Sequence, residues 1–270
     1  MNDADFTLMG VVNVTPDSFS DGGRYLDPEA AVAHGLALEA EGATILDVGG
    51  ESTRPGSEGV TADEELRRVL PVIEGLVAAS VEARISVDTS KATVAEAALA
   101  AGATMVNDVT ALRGDPRMSE VVASSGADCC LMHMLGNPRT MQIDPRYEDV
   151  VGEVRAFLEE RLSFATGAGI PEARILLDPG IGFGKTVVQN FELVRRLAVL
   201  LELGRPIMVG FSRKSSLGRL LGDPAATTGS TAASVGVAVA AVERGATIIR
   251  AHDVREHVEA LAAAGAAAAW

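Results

Sequence analysis

Short apolar runs rich in β-branched residues alternate with longer segments of helical periodicity, and this alternation limits the fold more than any other feature of the sequence. Each run has the length of a buried strand, and each intervening segment is long enough for a helix. The runs number eight and cover residues 6–12, 43–48, 84–88, 104–108, 128–133, 173–178, 206–212 and 246–252. Eight strand-helix units within 270 residues predict an α/β protein with a single domain over residues 1–270, folded as a (β/α)8 TIM barrel.

A doubly wound open sheet is the alternative arrangement of alternating strands and helices. Such a sheet usually has fewer strands and carries G-x-G-x-x-G after the first one, whereas here the first run is followed by Asn13-Val14-Thr15-Pro16. The barrel therefore fits the sequence better. It places the active site at the carboxyl ends of the strands.

The predicted helices have recognisable starts and ends. Asp27 followed by Pro28 is typical of an N-cap and a first helical residue, and Thr61 with Glu64 matches the capping-box pattern. Glycine follows several of the predicted helices, as expected of a C-terminal cap, at Gly42, Gly102, Gly126, Gly169, Gly204 and Gly245. After Thr61, helical spacing predicts a buried stripe made of Leu66, Val69, Leu70, Ile73, Leu76 and Val77.

The net charge and the apolar pattern exclude several classes of function. A formal charge of -14 argues against nucleic acid and against an anionic membrane surface, because both need a cluster of Lys and Arg. The first residues carry no signal-peptide pattern and no stretch reaches eighteen apolar residues, so we expect a cytoplasmic protein with no membrane partner. Cys129 and Cys130 are adjacent within an apolar run and lack C-x-x-C spacing, which predicts reduced core residues.

Every predicted strand ends in a polar or ionisable residue. Helix caps and the solvent boundary explain some of these residues, yet the opposite strand ends show no comparable pattern. The endings are Asn13, Asp47, Asp88, Asn107-Asp108, His133, Asp178, Ser212-Arg213-Lys214 and Arg250-His252-Asp253. Together they predict one site at the carboxyl end of the barrel.

The charges divide this predicted site into two parts. A basic set gathers at strand ends of an acidic protein and indicates an anion clamp, unless it forms surface ion pairs: Arg54, Arg213, Lys214, Arg250 and His252. Asp88, Asn107 and Asp178 supply acceptors and one amide donor. That combination suits a flat heterocycle with amino and ring N–H groups.

Other motifs give weaker signals. The segment GIGFGKT at residues 180–186 is not a phosphate-binding P-loop, because Pro179 stands where the motif requires glycine. No zinc or Ser-His-Asp motif is present, so any metal would be Mg2+ shared with phosphates and one or two protein oxygens. His34 and His257 fall on amphipathic helices and are predicted to be solvated, whereas His133 is either a core residue or part of the site wall.

Several motifs make the chain similar to the dihydropteroate synthase family over nearly its whole length. They are MGVVNVTPDSFSDGG (9–23), DVGGESTRPGS (47–57), SVDTSK (86–91), NDV (107–109), LMHMLGNPRTMQ (131–142), LDPGIGFGKT (177–186), GFSRKS (210–215) and RAHDV (250–254). The resemblance implies a folate-pathway transferase that joins 6-hydroxymethyl-7,8-dihydropterin pyrophosphate to p-aminobenzoate with Mg2+. It also implies inhibition by sulfonamides, which imitate p-aminobenzoate, and a homodimer.

The resemblance also assigns roles to individual residues. Pterin contacts are implied for Asp88, Asn107, Met134, Asp178, Lys214 and Arg250, and pyrophosphate contacts for Asn13, Thr53, Arg54, Arg250 and His252. The implied p-aminobenzoate slot consists of Phe19, Pro55, Phe183 and Ser215. Asn13 would also reach Mg2+, and Asp88, Lys214, Asn13 and Arg54 would carry catalysis.

The family resemblance implies that the C–O bond to pyrophosphate breaks before the aniline nitrogen adds. A pterin-dependent methyltransferase and a non-catalytic pterin-binding paralogue remain as alternatives. The loops NVTPDSFSDGG and GESTRPGS favour the synthase over both. A Schiff-base aldolase using Lys214 is a weaker possibility. Phe211 departs from the residues usual in the family at that position, which would tighten the pterin pocket or the residues behind it.

Overall fold

A computed structural model, which describes residues 6–15, 27–54 and 56–268, contains eight parallel strands in one curved sheet. The strand order is β6-β5-β4-β3-β2-β1-β8-β7, and a parallel bridge between Leu177 and Ile207 joins the two ends. The strands are β1 (Thr7–Asn13), β2 (Ile45–Gly49), β3 (Arg84–Asp88), β4 (Met105–Asp108), β5 (Asp128–Met132), β6 (Ile175–Asp178), β7 (Met208–Val209) and β8 (Ile248–Ala251). The predicted TIM barrel is thus confirmed.

Helices cover the outside of the sheet between successive strands. They are α1 (Pro28–Ala40), α2 (Ala62–Ala78), α3 (Ala92–Ala100), α4 (Met118–Ser125), α5 (Val150–Gly167), α6 (Val187–Arg195), α7 (Ala198–Leu201), α8 (Ser215–Leu220), α9 (Thr231–Val242) and α10 (Val254–Ala268). A short 3-10 helix, Glu172–Arg174, precedes β6. None of the helices within these described ranges is long and apolar enough to cross a membrane.

Local sequence signals set most element boundaries. The Asp27 side chain accepts a hydrogen bond from the Glu29 amide, and Thr61 accepts one from the Glu64 amide, so both predicted N-caps are confirmed. All six glycines predicted to follow helices have positive φ. Strand β7 is shorter than its predicted run: Pro206 has no N–H to donate, and only its carbonyl joins the ladder, accepting from Leu177 N at 2.9 Å.

The buried face of α2 differs from the predicted stripe. Val69, Ile73 and Leu76 are fully buried as expected, but Val72 joins them, while Val77 is 44% exposed. The i, i+3, i+4 spacing in the sequence included Val77 in the predicted stripe, although this residue lies beyond the buried face. The buried face of the helix is therefore rotated toward Glu65 and Val72 relative to the predicted stripe.

Two apolar cores lie on either side of the sheet. The larger one fills the space between strands and helices and includes Cys129. The smaller one lies inside the barrel and consists of Met9, Ile45, Met105, Cys130, Leu176, Met208 and Ile248. Both cysteines are buried and free, as predicted, and burial raises the pKa of each thiol.

The inner core also determines where the polar residues stand. Side chains alternate across a strand, so the residue two positions after an inward apolar residue points inward again, one layer higher. Ile45 is followed in this way by Asp47, Met105 by Asn107, Leu176 by Asp178 and Ile248 by Arg250. The barrel therefore has an apolar floor and a polar layer above it at the carboxyl ends of the strands.

Replacing Leu76 with alanine should destabilise the protein much more than replacing its neighbour Val77. Leu76 is fully buried on α2, so Leu76→Ala should cost about 2–5 kcal/mol, whereas Val77→Ala on the exposed side should stay within about 0.5 kcal/mol. Urea denaturation followed by circular dichroism measures both. Equal losses would contradict the assignment of the buried face.

Candidate active site

A cavity opens at the carboxyl ends of the strands, above the apolar floor of the barrel. Its lining combines acids, bases and apolar residues: Thr53, Asp88, Asn107, Val109, Met132, Asp178, Ile181, Phe183, Gly210, Lys214 and Arg250. These residues come from β3, β4, β5, β6 and β8 and from loops that follow strands. The predicted convergence of polar strand ends is therefore present in the structure.

Arg250 lies at the centre of the polar layer. Its Nε donates to Asp47 Oδ2 at 2.7 Å, and its Nη2 donates to Asp88 Oδ2 at 3.0 Å. Asn107 Nδ2 also donates to Asp47 Oδ2, at 3.0 Å. The Arg250 guanidinium thus fixes the carboxylates of Asp47 on β2 and Asp88 on β3. Asp47, the more deeply buried of the two, in turn fixes the Asn107 amide on β4.

Asp47, which the sequence shows only as a polar strand ending, belongs to this polar layer. Its side chain is fully buried. Asp47 Oδ1 and Asn107 Oδ1 have no hydrogen-bond partner within the described part of the chain. Buried acceptors without donors are costly, so this layer is suited to a ligand that brings donors of its own. The available signal was an aspartate inside the apolar run ILDVG.

The acidic residues of the cavity hold their protons more tightly than usual. Burial and the neighbouring Asp47 together raise the pKa of Asp88 to about 7, against the opposing effect of Arg250. Burial also raises the pKa of Asp178, against the opposing effects of the Gly180 N–H, 2.6 Å from its Oδ1, and of Lys214. Near neutral pH, Asp88 is therefore close to the midpoint of its titration.

Lys214 is the cation nearest to the aromatic wall of the cavity. Its Nζ lies 4.4 Å from the centroid of the Phe183 ring, a cation–π contact. Burial and the nearby Arg250 together lower the pKa of Lys214 to about 8, against the opposing effects of Asp178 and Asp88. Lys214 therefore keeps its charge at neutral pH and loses it in mildly alkaline solution.

Other residues predicted for an anion clamp have different surroundings. Arg213 binds Asp253 through two hydrogen bonds of 3.0 and 2.5 Å and does not line the cavity, so it is held in an ion pair. His252 Nδ1 lies 3.1 Å from Ser212 Oγ, and burial together with Arg250 lowers the pKa of His252 to about 3. His252 is thus a neutral imidazole in this structure.

The remaining predicted site residues lie at the rim, in the wall or outside the described chain. Thr53 lines the cavity, Arg54 is exposed on the same loop, and Asn13 ends β1 beside Gly49, which in turn pairs with Asp88. Met134 is buried in a cluster with Val109, Met132 and Met141, against which Phe183 packs, and Ser215 begins α8. Phe19 and Pro55 lie outside the described residues.

Two further predictions concerned side chains near the site. His257 was expected to be solvated, but it is 1% exposed and its Nδ1 lies 2.6 Å from the Asp253 carbonyl oxygen. The helical pattern did not reveal that α10 turns this residue inward. Phe211 is buried in the outer core, 5.1 Å from the Phe191 ring centroid, and does not line the cavity.

A charged cluster beside the cavity was not predicted. Lys91 Nζ, after β3, lies 2.8 Å from Glu51 Oε2 and 2.5 Å from Glu65 Oε2. Glu51 Oε1 also accepts from Val60 N at 2.9 Å, so the cluster fixes both ends of the loop that carries Thr53. The signal that could have found it is composition: the chain has only three lysines, at 91, 185 and 214, and all three lie near this site.

Comparisons with known proteins agree with this geometry. The profile of the pterin binding enzyme family matches residues 9–252, so the fold and the site together define a pterin-binding TIM-barrel enzyme. The dihydropteroate synthase of Escherichia coli K12 is 48% identical over 256 residues, which cover 94% of this chain and 89% of that protein. The chain therefore belongs to the dihydropteroate synthase family.

Solved structures of the same family superpose closely. The Yersinia pestis dihydropteroate synthase, solved as a sulfonamide drug complex, has a TM-score of 0.93 at 43% identity and covers 98% of this chain and 95% of its own. The Xanthomonas albilineans enzyme in complex with 7,8-dihydropteroate has a TM-score of 0.85 at 48% identity and covers 98% of this chain and 94% of its own. These relatives favour the synthase over the methyltransferase alternative.

Removing the charge of Lys91 should destabilise the fold, and removing its buried partner as well should restore most of the loss. Lys91→Met leaves the fully buried Glu65 carboxylate without a cation and should cost about 3 kcal/mol. Adding Glu65→Leu removes the unpaired charge, so the double variant should be more stable than the single one. Urea denaturation measures both differences.

The exposed pair of Arg117 and Glu96 provides the control for this prediction. Their side chains are 56% and 64% exposed, so Arg117→Met should cost less than about 1 kcal/mol. A double variant no more stable than Lys91→Met would contradict the view that the unpaired buried carboxylate causes the loss.

Proposed function

We propose that the chain condenses 6-hydroxymethyl-7,8-dihydropterin pyrophosphate with p-aminobenzoate to give 7,8-dihydropteroate and pyrophosphate in folate biosynthesis. The observation that carries this proposal is the polar layer around Arg250, where two carboxylates and an amide are fixed at the base of a cavity with a cationic and aromatic wall. Family membership supplies the reaction. The reaction is an alkyl or aryl transfer, the finer class that we assign to this transferase.

Recognition of the pterin follows from the donors and acceptors of the layer. A pterin presents an amino group and ring N–H groups, and carboxylates of Asp88 and Asp178 accept such donors. Asn107 lines the cavity and retains a buried oxygen without a partner in the described chain, so it can accept as well, while Asp47 holds Asn107 and Arg250 in place from below. Lys214 offers a charged donor, and Met134 packs in the wall behind the cavity.

Pyrophosphate would bind above the polar layer, where Thr53, Arg54 and Asn13 lie toward the rim, with Arg250 and His252 as the deeper contacts that the family resemblance implies. The residues present also fit Mg2+: Asn13 Oδ1 and Asp88 Oδ2 both lie 3.7 Å from the point where a Cβ on Gly49 would stand. The absence of that Cβ leaves room beside two hard oxygen donors, of which Asn13 would hold the ion together with phosphate oxygens. When bound, Mg2+ would neutralise charge on the departing pyrophosphate.

The family resemblance supplies the order of bond changes, and the charges of the cavity are consistent with it. In an SN1-like path the C–O bond to pyrophosphate breaks first, and both electrons leave with the phosphate oxygen. The ionised Asp88 then stabilises the positive charge on the pterin methylene. The amino nitrogen of p-aminobenzoate adds to that carbon and releases its proton to water. We assign the slot for this second substrate to Phe183, Ser215, Phe19 and Pro55, and we also propose a cytoplasmic homodimer that sulfonamides inhibit.

Product formation tests the proposed function directly. The purified chain is incubated with dihydropterin pyrophosphate and Mg2+, with and without p-aminobenzoate, while pyrophosphate release and the mass of dihydropteroate are followed. We expect stoichiometric products, competition by a sulfonamide, and loss of rate when EDTA removes Mg2+. Tight pterin binding without turnover would overturn the proposal in favour of a non-catalytic pterin-binding protein.

The pH profile of kcat/KM should be bell-shaped with a maximum between about pH 7 and 8. The pKa of Asp88 is raised to about 7, so its carboxylate is protonated below that pH and kcat/KM should rise as the pH increases through it. The pKa of Lys214 is lowered to about 8, so its charge and kcat/KM should be lost above that value. Asp88→Asn should abolish the acid limb. An unchanged acid limb in this variant would assign it to another group or to the substrate.

Lys214→Ala should reduce kcat/KM about ten- to a hundredfold, because it removes a charged hydrogen-bond donor worth about 1.5–3 kcal/mol. Steady-state kinetics with both substrates measures the change. Arg219→Ala, on the exposed end of α8, is the matched control and should retain wild-type kinetics. Wild-type values in Lys214→Ala would contradict the proposed role.

A further inference from the structure

Lys185 is a buried cation that the proposed reaction does not use. Its side chain stands beneath the loop of residues 180–184, and the residue is 3% exposed. Within the described chain, no carboxylate lies within 4.0 Å of its ammonium group. A buried charge without an ion pair is costly, and burial accordingly lowers the pKa of Lys185 to about 7, so the hydrogen bonds of its ammonium form carry the compensation.

The three donors of Lys185 match three acceptors. Nζ donates to the carbonyl oxygen of Gly180 at 2.9 Å and to that of Phe183 at 3.1 Å, and it lies 2.8 Å from His133 Nδ1. Burial lowers the pKa of His133 to about 2, with Lys185 and Arg113 contributing, so this imidazole is neutral and can accept at Nδ1. An ammonium has three donors and no acceptor, and here each donor has one partner.

The backbone of the loop leaves room for this arrangement. Gly180 has φ +68°, and a Cβ at that position would stand 1.8 Å from the His133 carbonyl oxygen, so no other residue fits there. Tyr147 donates to the carbonyl of Gly184 at 2.9 Å, and Gln142 donates to that of Gly182 at 2.7 Å. Of these donors, only Lys185 reaches the carbonyl of Phe183.

The same loop forms the surface on which Lys214 rests. A Cβ on Gly182 would stand 3.2 Å from Lys214 Cδ, and the Phe183 ring lies 4.4 Å from Lys214 Nζ. We propose that Lys185 is a positioning residue: by holding the Phe183 carbonyl against His133, it keeps the Phe183 ring under the ammonium group of Lys214. The positioning of Phe183 does not depend on the proposed function; only its expected effect on the reaction rate rests on that function.

Nuclear magnetic resonance tests the positioning without any turnover. Because the chain has only three lysines, 13C-lysine labelling gives three sets of side-chain signals, which Lys91→Arg and Lys214→Arg assign. A lysine over a ring face has its ε-CH2 protons shifted upfield. We expect Phe183→Leu to abolish the upfield shift of the Lys214 ε-CH2 protons. Lys185→Met should remove most of that shift. A wild-type Lys214 shift in Lys185→Met would overturn the proposal.

Tyr147→Phe is the matched control, because it removes a hydrogen bond to the same loop without touching the Phe183 carbonyl. It should leave the Lys214 shift unchanged, and a change equal to that of Lys185→Met would reduce Lys185 to a general support of the loop. Should Lys185→Met fail to fold, Lys185→Gln retains two donors. The Lys214 shift in that variant should then be intermediate, and a wild-type value would again overturn the proposal.

A double-mutant cycle tests the consequence for the reaction. Lys185→Met and Phe183→Leu should each lower kcat/KM about tenfold or more, since small misplacements of substrate-facing groups have effects of this size. If Lys185 acts through Phe183, the double variant should be no slower than the slower single variant. Additive losses would overturn the inference. A wild-type chain that makes no dihydropteroate would instead overturn the proposed function and leave the resonance test to decide the role of Lys185.

Discussion

The guanidinium of Arg250 is the interaction on which the rest of the site depends. It joins β8 to Asp47 on β2 and to Asp88 on β3, and through Asp47 it also fixes Asn107 on β4. A buried charged network of this kind seldom adds stability, because desolvation of the charges cancels most of their attraction. Its value here is geometric, since one planar cation holds the carboxylates of two strands directly and, through Asp47, the amide of a third at the base of the cavity.

Closure of the barrel makes this arrangement possible. Parallel strands in register bring their carboxyl ends to one rim, and the two-residue alternation of inward side chains converts a sequence spacing into a layer. The apolar floor formed by Met9, Ile45, Met105 and their neighbours excludes water from below. Charges in the layer above are therefore partly desolvated, which moves the pKa of Asp88 up and that of Lys214 down toward neutrality.

The sequence predicted the elements well, because their signals are local. Asp27, Thr61 and the glycines after helices act within one turn, and the polar strand endings follow from spacing alone. The interactions that were missed join residues far apart in the chain, such as Arg250 with Asp47 or Arg213 with Asp253. Val77 and His257 were misplaced for a related reason: their exposure depends on the neighbouring elements, which the periodicity of a single helix does not specify.

The surroundings of the three lysines differ from those that suit arginine. The chain has twenty arginines and three lysines, so most of its cationic positions use the planar group. Each lysine stands where a compact ammonium with three donors suits the surroundings better than a planar guanidinium. Lys91 lies between two glutamates, Lys185 among two carbonyls and an imidazole, and Lys214 over an aromatic ring. A lysine also loses its proton more readily when buried, and the pKa values of Lys185 and Lys214 are lowered to about 7 and about 8. Arginine at either position would keep its charge at every physiological pH, whereas Lys185 and Lys214 lose theirs near neutral pH and in mildly alkaline solution.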